Sequence, residues 1–190
     1  MKKLLTLSCL IILSSCSKEF SSDQMVYRQG MVYEINSSTP FTGRVVDYHE
    51  NGQLEQKINV KNGKRDGLVE RYHNNGQLRS KVTYKDGKRI GIFETYFDNG
   101  QLEVKENYKN DKQDGLSEYY FKWTGQLYRK ENYKNGKREG LSETYFENGQ
   151  LESKGNYKNG KQDGVWEGYD ENDKYWKGYI KDGEWVGHIK

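Results

Sequence analysis

The stretch "YKNGKREGLSETYFENGQL" runs from Tyr133 to Leu151 and holds two Asn-Gly pairs, Asn135-Gly136 and Asn148-Gly149. Asn-Gly flanked by alternating residues signals a β-hairpin, because both residues tolerate the positive φ of a type I′ turn. The aromatic-rich run between the pairs reads as a strand. Working outward, the same words return. "NGQLEQKINVKNGKRDGLVERYHN" begins at Asn51, and related units begin at Asn75, Asn99, Thr124 and Asn148. The period is 24 residues, broken once by an extra residue near Trp123. Self-similarity at such a period marks a repeat architecture.

A period of twelve lies inside it: Tyr72, Tyr84, Tyr96, Tyr108 and Tyr120, then Tyr133, Tyr145, Tyr157 and Tyr169 after the slip. Twelve residues suit one strand and one turn, so each repeat is two strands joined by tight turns. Tight turns force antiparallel pairing. The expected fold is all-β, an elongated single-layer antiparallel meander of 24-residue two-strand repeats. Residues 51–171 hold five of them, between degenerate end units at 25–50 and 172–190. Atypical ends are expected, because terminal repeats must cap rather than stack.

The faces are partly readable. Leu102, Val104 and Tyr108 alternate with Glu103, Lys105 and Asn107, a half-buried strand pattern. In the second strand, a row of Leu141, Glu143 and Tyr145 competes with a row of Ser142, Thr144 and Phe146. Two-residue loops place the Phe row beside Leu102 and Tyr108; a longer turn reaching Gly140 swaps the faces. Recurrent Lys57, Lys81, Lys105, Lys130 and Lys154 can form a ladder with Glu70, Glu94, Glu118, Glu143 and Glu167, each pair contributing ~0.2–1 kcal/mol.

Composition supports a thin sheet. Only 33% of the chain is hydrophobic, which suits a fold without a conventional core. Sixteen tyrosines and a net charge of +3 argue against disorder. The first fifteen residues read as processing signal: Met1-Lys2-Lys3 is a positive n-region, and Leu4 to Leu13 an apolar segment too short to span a bilayer. "LSSC", Leu13 to Cys16, resembles the bacterial lipobox, which implies cleavage before a lipidated Cys16. Of the 31 basic residues this removes Lys2 and Lys3, leaving 29 against 28 acidic, and Cys9 departs as well. No disulfide or cysteine metal site is then expected. Residues 16–24 read as lipidated cysteine and flexible tether. Several acyl chains on one cysteine anchor stably. The expected location is the bacterial cell envelope, at the outer membrane where two membranes exist.

"NGQLESKGNYKNGKQDGVWEGYDEN", from Asn148, resembles the bacterial variant of the MORN repeat through Asn148-Gly149, Leu151, Tyr157, Gly160-Lys161, Gly164, Trp166 and Tyr169. "PFTGRVVDYHENGQLE", Pro40 to Glu55, with the tandem "KNGK" units, looks like the YwqK-family antitoxins. That resemblance implies a toxin as partner. Asp111, in place of a turn glycine, and the inserted Trp123 depart from the motif.

Catalysis is not expected. His49 and His73 occupy a position held elsewhere by Phe97, Phe121 and Phe146, and no nucleophile–base arrangement or phosphate loop can be assembled. Each repeat carries the same Glu, which marks a structural residue. Lysine-rich turns in a charge-balanced, exported chain argue against nucleic-acid binding. No cofactor or metal is implied. Two binding functions remain. One is a protein partner on a sheet rich in exposed rings, an antitoxin or immunity-type role being a special case. The alternative is an envelope ligand, a lipid headgroup or cell-wall glycan. Candidate binding residues are Trp123, Trp166, Trp176, Trp185, Phe97 and Phe121. The three C-terminal tryptophans superficially resemble choline-binding cell-wall repeats; they form either an aromatic cage or a packed cap. Open sheet ends also admit a homodimer.

Overall fold

A computed structural model describes residues 19–189. The signal segment and Cys16 lie outside the described residues. One sheet of sixteen strands runs through the chain, with neighbours in space also neighbours in sequence from Gly43–Tyr48 to Glu184–His188. First strands of the repeats are Leu54–Lys61, Leu78–Lys85, Leu102–Lys109, Leu127–Lys134 and Leu151–Lys158. Second strands are Lys64–Tyr72, Lys88–Tyr96, Lys137–Tyr145, and two that are interrupted, Lys112–Gln113 with Gly115–Tyr120 and Lys161–Gln162 with Gly164–Tyr169. The meander expected from the turn spacing is therefore present.

The two kinds of Asn-Gly turn differ, which corrects the expectation drawn from the opening stretch. In Asn62-Gly63, Asn135-Gly136 and Asn159-Gly160 both residues have positive φ, as a type I′ turn requires. In the "NGQL" turns only the glycine does, as at Gly76 and Gly149. These are three-residue loops: His73 N–H donates to Gln77 O at 2.8 Å, with Gly76 as the left-handed residue. The asparagine acts through its side chain instead. Asn75 Oδ1 accepts from Gln77 N–H at 3.1 Å, an Asx turn, and Asn75 Nδ2 donates to Asp98 O in the next repeat at 2.6 Å. The other row of turns is also tied, since Gly87 N–H donates to Arg65 O and Gly160 N–H to Arg138 O, at 2.8 and 2.9 Å. Both long sides of the sheet are thus stitched from turn to turn.

Face parity follows from a bulge. Val60 pairs with Arg65 across the two-residue turn, whereas Ile58 pairs with Val69, so Asp66, Gly67 and Leu68 together oppose Asn59. Two extra residues preserve parity, and the Phe/Ser row joins the first-strand tyrosines. On this core face, Val45, Ile58, Val69, Val82, Phe93 and Glu106 are successive cross-strand partners. Ser117, Glu131, Ser142 and Gly155 continue the line, and Trp166 and Gly178 end it. The line is aliphatic at its start, polar in its middle and aromatic at its end. Glu131 is 2% exposed and compensated by Arg138 Nε at 3.2 Å and Tyr133 Oη–H at 3.0 Å.

At the N-terminal end the chain departs from a plain meander. Glu19–Phe20 pairs in parallel with Gly43–Tyr48, and the hairpin Met25–Arg28/Met31–Glu34 forms its own two-stranded sheet. The flexible tether expected over residues 16–24 is corrected for 19–24: these form a strand and the 3₁₀ turn Ser22–Gln24. Phe20 stacks edge-on against Phe41 at 5.3 Å, Ser22 N–H donates to Asp47 Oδ1 at 2.7 Å, and Glu19 meets Arg44 at 2.9 Å. Phe41, Val45 and Val60, covered by Phe20, Met25 and Val32, make the one hydrophobic cluster among the described residues.

Candidate binding surface

The face opposite the core row carries the Lys–Glu ladder that the repeat spacing predicts. Lys57, Glu70, Lys81, Glu94 and Lys105 are successive cross-strand partners, and Glu118, Lys130, Glu143, Lys154, Glu167 and Lys177 continue them. Contacts include Lys81–Glu94 at 2.6 Å, Lys154–Glu167 at 3.0 Å and Lys177–Glu167 at 3.7 Å. Burial works to raise the Glu94 pKa, but hydrogen bonds from Lys81 and Tyr96 outweigh it and hold the carboxyl below its ordinary value. Its partner Lys81 is correspondingly raised by the bond to Glu94.

Beside the ladder lies an apolar column. Leu68, Ile92, Leu116, Leu141 and Val165, one per repeat, are 37–48% exposed on the ladder face. Their cross-strand neighbours are mostly asparagines, whose side chains turn inward: Asn59 Nδ2 donates to Leu68 O at 2.6 Å and Asn107 Nδ2 to Leu116 O at 2.8 Å. Those bonds satisfy carbonyls freed by the bulge. Beyond the aliphatic column, the type I′ turn of each of the five repeats is flanked by two lysines directly opposite one another. The pairs are Lys61 with Lys64, Lys85 with Lys88, Lys109 with Lys112, Lys134 with Lys137, and Lys158 with Lys161. All ten side chains are exposed.

The candidate rings separate into three groups. Trp123 is 77% exposed, in a loop that the insertion lengthens: Phe121 N–H reaches across four residues to Gln126 O, where equivalent turns span three. Lys122 Nζ lies 5.0 Å from the Trp123 ring and 6.0 Å from Phe97, and pairs with Asp98 at 2.8 Å, so Trp123 and Phe97 sit near one cation. Phe121 instead packs on Tyr128 at 5.1 Å, away from that pair. Trp166 is core: it is 5% exposed, edge-on to Tyr157, and lies over Gly155, where a Cβ would come within 2.2 Å of its ring. That burial removes it as a surface candidate and removes a cage of all three C-terminal tryptophans. Trp176 and Trp185 pack together at 6.3 Å, with His188 against Trp185 at 5.1 Å, on the last hairpin. A strand-interior glycine was the available signal for the buried ring, since Gly in a strand often marks close approach.

Sequence reasoning also passed over the histidines' second property. His49 and His73 occupy the Phe position, and each ring Nε2 bonds a tyrosine carbonyl in the next repeat, Tyr72 O at 3.0 Å and Tyr96 O at 2.8 Å. Asp111 keeps the turn it occupies, with φ of 66°, and ties it backward: its Oδ1 accepts from Arg89 N–H at 2.9 Å. Among the described residues, no cluster of three His, Cys, Asp or Glu side chains could hold a metal ion.

Repeats bounded in this way resemble a described family. Residues 41–62, 65–86, 89–110 and 138–159 match the MORN repeat variant family. Four segments of the sheet are thus similar to MORN repeat variants. The segment 41–62 begins just before the strand Gly43–Tyr48, the other three begin on a second strand, and each ends in the type I′ turn after the following first strand, so the family's phase is offset from units counted from "NGQL". Between the third and fourth MORN segments lie residues 111–137, which hold both Asp111 and the inserted Trp123. No curated protein matches the chain.

Proposed function

We propose that the protein is a non-catalytic envelope lipoprotein, anchored through acyl chains on Cys16, whose MORN sheet binds a protein partner. The observation that carries this reading is the aliphatic column on the ladder face. Five half-exposed aliphatic side chains stand in line, one from each repeat with Thr or Asn between them, a recurring apolar column of the kind that marks interaction sites on soluble domains. An antitoxin or immunity-type protein with a toxin as its partner is the finer form of the same reading, supported by the likeness of Pro40 to Glu55 to the YwqK family.

The test is capture of partners from envelope extracts with the lipid-free form, residues 17–190, beside a variant carrying Leu116→Ser and Leu141→Ser. A protein retained by the parent and lost from the variant supports the reading. Retention of liposomes or peptidoglycan with no protein sinks it and favours the second reading, a lipid or glycan ligand on exposed rings, for which Trp123 beside Phe97 and Lys122 is the supporting cluster. Anchoring is tested separately: Cys16→Ala should move the protein out of the membrane fraction, and unchanged fractionation removes the lipoprotein claim.

A further inference from the structure

The aliphatic column and the lysine pairs are adjacent columns of one face, and their juxtaposition specifies a partner more narrowly. On each second strand the aliphatic residue follows the lysine by four residues, as Leu68 follows Lys64, and the bulge shortens that spacing to about two strand positions, about 7 Å; from repeat to repeat each recurs after two strands, roughly 9.5 Å. Like charges placed directly opposite across a strand pair are destabilising, yet this arrangement recurs at five successive turns. Local neutralisation is partial, since Lys61 and Lys158 feel the bulge carboxylates Asp66 and Asp163 without pairing with them. Among the described residues, Lys85 alone of the ten forms an ion pair, with Asp66 at 3.1 Å. The ladder on the column's other side is internally neutral, with Lys and Glu alternating, and so contributes no counter-charge. One long side of the ladder face is therefore a basic strip bordered by an apolar one.

We propose that this double column docks an acidic segment of a protein partner, one bearing aliphatic or aromatic side chains beside its carboxylates. The inference rests on the protein-partner reading and narrows it. Charge complementarity selects the acid, because carboxylates spaced along a peptide neutralise the lysine pairs without any rearrangement of the sheet. The apolar column selects a peptide over other polyanions. A phosphodiester backbone presents no apolar side chains next to its charges, and an anionic bilayer keeps its acyl chains beneath the headgroup plane. Lysine, a compact point charge on a flexible stem, suits scattered carboxylates better than the fixed fork of arginine.

The test measures binding of a labelled peptide alternating glutamate with leucine to the full chain in neutral detergent. Polyglutamate, phosphatidylglycerol vesicles and a DNA duplex serve as competing probes. Saturable binding is expected, weakened at least tenfold by Leu116→Ser with Leu141→Ser, and again by Lys109→Gln, Lys112→Gln, Lys134→Gln and Lys137→Gln. Added salt should reduce only the contribution of the lysines. All these side chains are exposed, so an unchanged circular dichroism spectrum and melting profile verify the fold, and single Lys134→Glu supplies a milder variant. Equal affinity for polyglutamate, or tighter binding to vesicles or DNA, overturns the proposal. The two readings fail separately. Partner capture that survives the lysine substitutions keeps the protein-partner function and removes the acidic-segment proposal; peptide binding without any captured partner does the reverse.

Discussion

Gly155 and Trp166 are a matched pair. In the other repeats the Trp166 position holds Val69, Phe93, Ser117 or Ser142, and the facing first-strand position holds Ile58, Val82, Glu106 or Glu131. Only where the ring is largest does the facing residue lose its side chain, because any Cβ at Gly155 would overlap the indole. Gly155→Val should therefore destabilise the fold by roughly 2–3 kcal/mol through overpacking. Adding Trp166→Val should recover most of that loss, since the pair then resembles Ile58 and Val69. Urea unfolding of the two single variants and the double gives the coupling; simple additivity would show that the two do not share space. Tyr108 makes a second prediction at this scale. Burial, then the hydrogen bond its Oη–H donates to Glu106 at 2.9 Å, pushes its pKa from 10 up to about 12. A raised pKa means that the stabilisation is intact below the unfolded value and is lost as pH rises through the folded one. Stability should fall between pH 10 and about 12. In a tyrosinate absorbance titration, Tyr108→Phe should shrink the late-ionising fraction; an unchanged fraction would place the shift elsewhere.

At the scale of strands and turns, the sheet tolerates irregularity where its turns absorb it. The insertion at Trp123 lengthens a loop, and the strands on either side keep their pairing, Glu118 with Lys130 as Glu94 with Lys105. Deleting Trp123 should leave stability within about 0.5 kcal/mol, measured by urea midpoint, because the ring is exposed and the shortened loop matches the other repeats. A loss of several times that would mean the loop orders its neighbours. The same scale shows what could be read in advance. The ladder was legible, because lysines and glutamates recur in phase and any antiparallel register with even parity brings them opposite. The faces were not legible, because parity depends on the bulge at Asp66-Gly67-Leu68, and a run such as "KRDGL" does not reveal how many residues pair. The true turn type at "NGQL" was hidden for a related reason: Asn75 works through its side chain rather than its φ. Residues 19–24 read as tether because neither the parallel register with Gly43–Tyr48 nor the Phe20–Phe41 contact has a local signal. Of the candidate rings, exposure at Trp123 was legible from its place outside the repeat; burial of Trp166 needed the neighbouring strand.

At the scale of the molecule, repetition makes the fold modular. Removing residues 65–88 joins Lys64 to Arg89, which restores the sequence of an ordinary turn and leaves each remaining strand with an equivalent neighbour. The shortened protein should fold, with a urea m-value lowered in proportion to the surface removed and with reduced stability, as nearest-neighbour coupling of repeats requires. Failure to fold would show that contacts beyond adjacent repeats are essential. The ends, in contrast, are not interchangeable. The N-terminal end is closed by the Met25–Glu34 hairpin over Phe41 and Val45, while the last strand is an open edge whose pairing is interrupted at Val186 by a bulge, a device that blunts strand addition. The turn-to-turn stitching has a mechanical consequence. Strands lie across the long axis, so the backbone hydrogen bonds, and the stitches on both sides, point along it. Tension between the two ends then loads one ladder at a time rather than all of them in shear. The sheet behaves as a zipper opening from its C-terminal edge, each released repeat of 24 residues paying out up to about 80 Å of chain. A protein built in this way yields at low force in small equal steps, and a copy held at one end and pulled at the other lengthens before it lets go.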